Sequence, residues 1–425
     1  MITILGAGLA GLSAGYHSKV DYMLLEREKN PGGLSKSTEI NGYIFDYAPH
    51  ILFTIDHYVM QFWRNLLKDN LITHRRQAFI YLENTFVKYP FEANLSPLPR
   101  ELVKECIEGV KNRPSYHPEN FEEWILTTFG EGIARHYMIP YNQKIWKYPL
   151  DKINTDWLAG RVPTPSIDEM KKGASGKKQK EFGPNAFFHY PKYGGIGRVA
   201  ESLAERLSIS YNSNVTKIKS AKNGVETTFQ KEGKEKKNVA EKVLSSLPLP
   251  ELVKIIDKVP NQVTKAASEL VYNSLVCINL GIDREKIINK HWIYFPEKDL
   301  IFNRVSFPMN FSPYTTPDGK SSILVEITFR DEFIDIEDTI NRTINDLIKT
   351  GIIKKDDKLE VCDATLFDYA YVIYDLKHRE NVGFINKFLI ENNIVPIGRF
   401  GEWEYYNMDK AILSGKKGIE RIKKL

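Results

Sequence analysis

Short apolar runs broken by glycine and asparagine turns fill the first quarter of the chain, and longer helical stripes follow. Ile2-Thr3-Ile4-Leu5 is an apolar run of strand length that passes directly into Gly6-Ala7-Gly8-Leu9-Ala10-Gly11, and 12–19 is helix-compatible. A second strand is expected over 21–25, ending at Glu26. The segments 37–40 and 43–46 flank Asn41-Gly42, and 79–82 and 86–89 flank Glu83-Asn84, so two hairpins are expected. Over 99–138 the period changes to that of helices, with Leu102, Val103, Cys106 and Val110 on one face and Phe121, Trp124 and Ile125 beyond. Strands are expected again at 215–220 and 225–229 around Asn223-Gly224, and at 242–247, 274–281 and 322–329. A further one over 393–399 ends in Gly398-Arg399, and a closing helix begins at Met408.

The strand, glycine loop, helix and second strand form the βαβ fingerprint of dinucleotide binding in its required context. Gly6 serves the tight turn, Gly8 the close approach of a pyrophosphate, and Gly11 the packing of helix on strand. Leu9 and Ala10 open the helix, whose free N–H groups attract phosphate. Glu26 follows at the spacing, about 20 residues on, where a carboxylate accepts hydrogen bonds from a ribose. A second glycine turn, Asn30-Pro31-Gly32-Gly33-Leu34-Ser35, lets backbone approach an extended FAD, where a plain nicotinamide enzyme would go straight into another helix. An ordinary turn also explains it.

Composition narrows the class. The 425 residues carry 59 basic and 54 acidic side chains, a net charge of +5 that is no nucleic-acid footprint unless clustered. Mean hydropathy of -0.36 and 42% hydrophobic content fit a soluble globular chain of two or three packed units. Aromatic residues reach 12%, which fits either a large core or a ring-lined pocket. Cys106, Cys277 and Cys362 are scattered without metal or disulfide spacing, so no metal is expected and a cytoplasmic location fits. No apolar run reaches membrane-span length, and a strand from Ile2 leaves no room for a signal peptide. The lysine run KKGASGKKQK at 171–180 reads as a solvated loop or as a flap over an anionic ligand.

Several longer segments carry a resemblance. NPGGLSKS at 30–37, FDYAPHILF at 45–53, VKYPFEANLSPLP at 87–99 and the PYN-K-W block with Trp157 and Arg161 in 138–162 resemble the flavin-dependent UDP-galactopyranose mutases. The likeness is to their eukaryotic-type branch, within the protoporphyrinogen oxidase-like and amine oxidase-like FAD superfamily. It continues through 182–203, 291–314, DYAYVIYD at 368–375 and GRFGEWEYYNMD at 398–409. The resemblance implies an α/β fold: a Rossmann-like, discontinuous FAD-binding domain, a helical insert and a mixed β-sheet substrate domain. The expected divisions are FAD-binding at 1–75, 181–250 and 361–425, substrate-domain strands at 76–100, a helical insert with a mobile loop at 101–180, and the substrate sheet at 251–360.

The implied activity interconverts pyranose and furanose forms of a nucleoside diphosphate sugar, reduced FAD attacking the anomeric carbon through N5, with NADPH or NADH as reductant. By this resemblance Arg161 and Arg304 bind the pyrophosphate, Tyr371 and Tyr405 assist as phenol donors, and His50 lies beside the flavin. Cofactor contacts fall on Gly33, Leu34, Ser35, Val215, Arg399, Asn407 and Met408. Tyr89 stacks on the base, Tyr137, Asn142 and Trp146 line the same cleft, and Asn185, Trp292 and Tyr294 surround the sugar. Two positions depart from the family pattern: Glu92 stands in place of Gln, and Phe311 in place of Tyr. An ionised Glu92 only accepts hydrogen bonds, which suits the adjacent N–H donors of guanine, so a GDP-sugar competes with UDP and dTDP sugars as the substrate. Other classes also fit the fold: an FAD-dependent amine oxidase or desaturase, and a non-enzymatic binder resembling GDP-dissociation inhibitors. An oligomer is compatible with every reading.

Overall fold

The computed structural model describes residues 1–158, 160–177, 180–183 and 185–423. Its first sheet is built around Ile2–Leu5, with Tyr22–Leu25 on one side and Lys242–Ser245 on the other. Ile209–Ser210 and Ile394–Pro396 complete five parallel strands. Both faces of such a sheet are covered, which explains why Ile4, Leu5, Leu24, Leu25, Val243 and Leu244 are all buried instead of alternating with polar residues. Helices Leu9–His17 and Met408–Ile422 lie together against it, tied by Ser13 Oγ donating to the Ile412 carbonyl at 2.6 Å.

The second sheet has seven strands in the order Leu359–Val372, Tyr272–Ile282, Ser321–Phe329, Arg304–Ser306, Trp292–Tyr294, Ala78–Leu82, Thr85–Lys88. All neighbours are antiparallel except Trp292–Tyr294 with Ala78–Leu82, so the sheet is mixed. Alternation sorts its two faces. Val276, Ile278, Ile293 and Val305 join the core cluster that also takes Leu347 of helix Ile336–Lys349. Trp292, Tyr294, Arg304 and Glu326 point the other way, into the cleft between this sheet and the first. Between the sheets' segments lies the helical region Arg100–Lys111, Phe121–Ile133, a π-helical turn Ala134–Met138 and Ile139–Trp146.

Four expectations need correction. The helical stretch over 99–138 is interrupted after Lys111 and resumes at Phe121, where Asn120 caps the new helix by accepting from Glu123 N. The boundary at 361 falls inside strand Leu359–Val372, because cross-strand pairing with Tyr272–Ile282 holds that segment in the second sheet. The strand expected over 393–399 stops at Pro396, and Gly398, at φ 78, turns the chain into the short helix Gly398–Gly401 that carries Arg399.

The lysine run is also only partly a loop. Ile167–Ala174 is a helix, started by a capping box between Ser166 and Glu169 and ended by Lys171 and Lys172, which complement its dipole. Lys180 reaches back to Glu169 at 2.7 Å, while Lys178 and Gln179 lie outside the described residues. All three cysteines are free, and among the described residues no helix is long and apolar enough to cross a membrane.

Candidate active site

A cleft of about 1670 Å³ runs between the two sheets. This exceeds the roughly 300–1,000 Å³ of a single small-molecule site, so it has room for a dinucleotide and a second ligand. Every site residue expected from the sequence lines it except Gly11. Gly11 instead lies in the helix–strand contact, where a Cβ would come within 1.8 Å of the Gly6 carbonyl oxygen.

One end is made of backbone. Gly6 turns at φ 89, and Gly8 caps helix Leu9–His17 with no side chain over its first N–H groups. A Cβ on Gly8 would meet nothing within 4 Å, so the space above it is open cleft. Glu26 is 7% exposed and clamps the loop, one oxygen accepting from Ala7 N at 2.6 Å and the other from Glu28 N at 2.9 Å. The second glycine turn docks on the first through Gly32 N donating to Ala7 O at 2.8 Å, which brings Gly33, Leu34 and Ser35 to the cleft wall. Val215 lines the same end with Ser213 and Asn214.

The middle is held by His50 and Arg399. His50 Nδ1 donates to the Ala48 carbonyl at 2.7 Å, which leaves Nε2 as an acceptor when the ring is neutral. Burial, reinforced by Arg399 and Arg304, lowers its pKa to about 4, so the ring is neutral near pH 7. Its segment is anchored by Asp46, which accepts from Ser37 Oγ at 2.7 Å, Tyr190 OH at 2.8 Å and Ile196 N at 3.0 Å. Arg399 donates to the carbonyls of Tyr406 at 3.0 Å and Ala370 at 2.7 Å, while its buried Nε has no partner. Asn407 caps helix Met408–Ile422 without a side-chain bond, so that helix also presents free N–H groups, and Met408 lines the cleft beside it.

The other end is made of side chains. Arg304 stands opposite Glu326 in the strand register and forms a bidentate pair with it, Nη2 to Oε1 at 2.7 Å and Nε to Oε2. Burial opposes the Arg304 charge, but Glu326 and then Tyr371 outweigh it and hold the pKa well above its ordinary value. Arg161 donates to the carbonyls of Trp157, at 2.9 Å, and Tyr405, and its guanidinium lies 4.8 Å from the Tyr405 ring centre. Tyr371 and Tyr405 meet edge to face at 5.8 Å, and Arg399 covers Tyr405 from 4.7 Å. Trp146 packs edge-on against both tyrosines and against Trp157, its indole N–H donating to Asn142 Oδ1 at 3.1 Å. Asn142 in turn donates to Met138 O, so its polar atoms serve to orient Trp146.

Beyond them Tyr89, Tyr137, Tyr141 and Tyr294 form an aromatic wall that includes Glu92. Asn185 lines the cleft with Trp292, and its Oδ1 accepts from Arg76. Phe311 lies off the cleft, packed on Phe188, Tyr190, His291 and Trp292.

Sequence reasoning missed three residues here. Glu326 is the one acid in the apolar strand Ser321–Phe329, a signal that was readable. Arg76 is fully buried, donates to Phe182 O at 2.7 Å and lies 4.7 Å from the Tyr89 ring centre. Tyr141 follows Tyr137 by one helical turn and shares its face. Among the described residues no cluster of His, Cys, Asp and Glu could hold a metal ion.

Parallel sheet, glycine loop, free helix N-termini and a long cleft define a dinucleotide-binding enzyme of the flavin type. The residues fit FAD: the cleft is open over Gly8, no side chain caps the first N–H groups of helix Leu9–His17, and the buried Arg399 Nε has no protein partner beside neutral His50. Residues 9–363 match the model of the flavin containing amine oxidoreductases, and the chain belongs to that family. Among solved structures, it is similar to one described as reduced UDP-galactopyranose mutase, with TM-score 0.94, 24% identity and coverage of 100% of this chain and 93% of that one. A putative protoporphyrinogen oxidase from Exiguobacterium sp. 255-15 matches with TM-score 0.77 and 14% identity over 99% and 98% of the two chains. Putrescine oxidase follows with TM-score 0.69 and 15% identity over 100% and 99%.

Proposed function

We propose that the chain is a nucleotide-sugar mutase that interconverts the pyranose and furanose forms of a nucleoside diphosphate sugar, with UDP-galactopyranose and UDP-galactofuranose as the pair. The observation that carries this reading is the convergence of Arg161, Arg304, Tyr371 and Tyr405 on one part of the cleft next to His50. Bound along the glycine loops, Val215, Arg399 and Asn407, FAD reduced beforehand by NADPH or NADH would supply the nucleophile that displaces the nucleotide from the sugar, with no net consumption of reductant. Departure of the nucleotide concentrates negative charge on its pyrophosphate, and a guanidinium fixed in advance stabilises that charge without reorganisation. Glu326 fixes Arg304 in this way and leaves Nη1 free of the ion pair. Arg161 is held by two carbonyls, which orient it without neutralising it. Burial raises the Tyr371 pKa, so its phenol stays protonated and donates. His50, with its Nδ1–H given to Ala48 and its ring neutral, keeps Nε2 as a hydrogen-bond acceptor on the cleft wall.

The same charges argue against amine oxidation. A protonated amine entering past Arg161, Arg304 and Arg399 meets like charge from three guanidiniums, with Glu326 already paired. The fold shared with a solved UDP-galactopyranose mutase supports the mutase reading.

The test is to incubate dithionite-reduced, flavin-loaded protein with UDP-galactofuranose and separate the products by chromatography. The expected result is UDP-galactopyranose without net oxidation of the flavin, and no conversion by the oxidised protein. Substrate consumption coupled to flavin turnover points to an oxidoreductase, and a colourless protein that cannot be loaded with FAD points to a binding protein.

A further inference from the structure

Four side chains outside the cleft form a connected set that the reaction above does not use. Arg379 donates through Nε to Asp156 Oδ2 at 2.9 Å and through Nη1 to Glu404 Oε1. The other oxygen of Glu404 accepts from the Tyr374 hydroxyl, and that hydroxyl in turn accepts from Tyr405 N at 2.9 Å. Tyr374 is 3% exposed and stacked on His378 at 4.1 Å, and none of the four lines the cleft. The set joins three separate segments. Asp156 precedes Trp157 and Arg161, and its segment is paired with the chain after strand Leu359–Val372, Asn154 N donating to Tyr374 O at 2.7 Å and Asn154 Nδ2 to Asp375 O at 3.0 Å. Glu404 precedes Tyr405, and Arg379 stands in the first turn of helix His378–Glu391. A cation there opposes the helix dipole, so helix stability does not account for it.

The consequence falls on the Tyr405 peptide. Its N–H is held by Tyr374 and its carbonyl receives Arg161 Nη2, so a peptide that Tyr374 orients aims the Arg161 guanidinium. The other contact of Arg161, Nε to Trp157 O at 2.9 Å, is to the residue that follows Asp156. Arg379 therefore ties down both carbonyls that hold Arg161, one through Asp156 and one through Glu404. Arg304 differs, because Glu326 fixes it from within the sheet.

We propose, resting on the mutase reading above, that Tyr374 and Arg379 are positioning residues: they latch the segment before Arg161 to the segment before Tyr405 and so set that guanidinium and that phenol at the pyrophosphate. Tyr374 carries the larger share. Removing its hydroxyl takes the acceptor from Tyr405 N and the donor from Glu404, inside the protein. Arg379 is half-exposed, as is Asp156, so its ion pairs are partly screened by water.

The experiment compares Tyr374→Phe with Tyr43→Phe in flavin-loaded protein. Tyr43 is also buried and also gives its hydroxyl to a glutamate, Glu360 at 2.8 Å, but it does not line the cleft, and its partner is at the far end of strand Leu359–Val372 from Tyr371. The readouts are amide hydrogen exchange in the peptide containing Tyr405 and steady-state conversion of UDP-galactofuranose by the dithionite-reduced protein. Tyr374→Phe speeds exchange at Tyr405 at least about tenfold. It raises KM roughly fivefold to tenfold and leaves kcat within about threefold, because Arg161 grips the pyrophosphate before and during its departure while Arg304 keeps its own partner. Arg379→Ala shows the same pattern at about threefold in KM, and Arg379→Lys, a point charge without the fork, recovers part of it. Tyr43→Phe keeps wild-type KM and exchange at Tyr405. An equal rise of KM in Tyr374→Phe and Tyr43→Phe, or unchanged exchange at Tyr405 in Tyr374→Phe, overturns the latch. Wild-type KM in Arg379→Ala removes Arg379 from it, and this exposed variant carries the test should Tyr374→Phe fail to fold. A wild type that converts no nucleotide sugar is a different result: it overturns the mutase reading, while the exchange data still decide whether Tyr374 holds the Tyr405 peptide.

Discussion

At the glycine-loop end of the cleft, a ligand would meet main chain from one short stretch, Gly6, Gly8, Leu9 and Ala10, with a single carboxylate just after the following strand. At the aromatic end it meets side chains from elements far apart in the sequence: Arg161 after the helical region, Arg304, Glu326 and Tyr371 from three strands of one sheet, and Tyr405 near the C-terminal helix. The first is a device for any phosphate, since N–H groups and a helix dipole recognise charge and little else. The second distinguishes ligands, because its guanidiniums and rings are fixed by each other and by the sheet register. Damage to the two ends therefore separates in experiment.

The largest effect is expected where the backbone device is also structural. Gly11→Val drives its side chain into the Gly6 carbonyl, 1.8 Å from the Cβ position, and costs more than about 3 kcal/mol with loss of the flavin. Gly8→Ala is the contrast: its backbone is extended at φ -69, and the added Cβ meets only open cleft. It should melt like the wild type in the apo form yet retain flavin at least about tenfold less well, because the methyl group blocks close approach of a pyrophosphate. Thermal melts and the flavin absorbance of purified protein check both, and equal flavin retention in Gly8→Ala would remove the loop from the binding site.

At the other end Arg304→Ala should lower turnover by at least about a hundredfold, the usual loss on removing a transition-state charge partner. It also leaves Glu326 buried without a counter-charge, which destabilises by about 3–5 kcal/mol. The double variant Arg304→Ala/Glu326→Gln separates the two effects. Its melting temperature recovers while turnover does not, if Arg304 acts on the ligand. Recovery of both would make the pair purely structural.

The smallest effect concerns Glu92 in the absence of nucleotide. Its pKa of about 7 in the folded protein lies above the ordinary carboxyl value of 4.5, so the folded state binds that proton more tightly than the unfolded chain. Stability therefore falls as pH rises from about 4.5 to about 7, and the penalty is complete above that range. Glu92→Gln lacks the penalty and should melt a few degrees above the wild type at pH 8, with little difference at pH 5. Identical melting behaviour at the two pH values would mean that Glu92 is solvated and ionised.

Much of the molecule was legible in the chain because its signals are local. The Gly6–Gly11 loop depends on a five-residue spacing between a strand and a helix, and each glycine has a steric reason that a sequence reader can state. The hairpin at Glu83-Asn84 was readable for the same reason, since both residues take positive φ. The lysine run was misread in part because charge was weighed above the capping box Ser166-x-x-Glu169, a helix signal already present in the sequence.

What the sequence alone determined is the βαβ loop, the alternation that sorts the strands of the second sheet, and the identity of the chemical groups available. Only the tertiary structure decided which of those groups share a solvent-poor space. Glu326 reads as an isolated acid until strand pairing sets it opposite Arg304, and Arg76 reads as a surface cation until Tyr89 and Asn185 close over it. The ionisation of Glu92 belongs to the same class. A carboxyl's charge depends on the water and cations around it, and those are fixed by how distant segments pack, not by its neighbours in the chain.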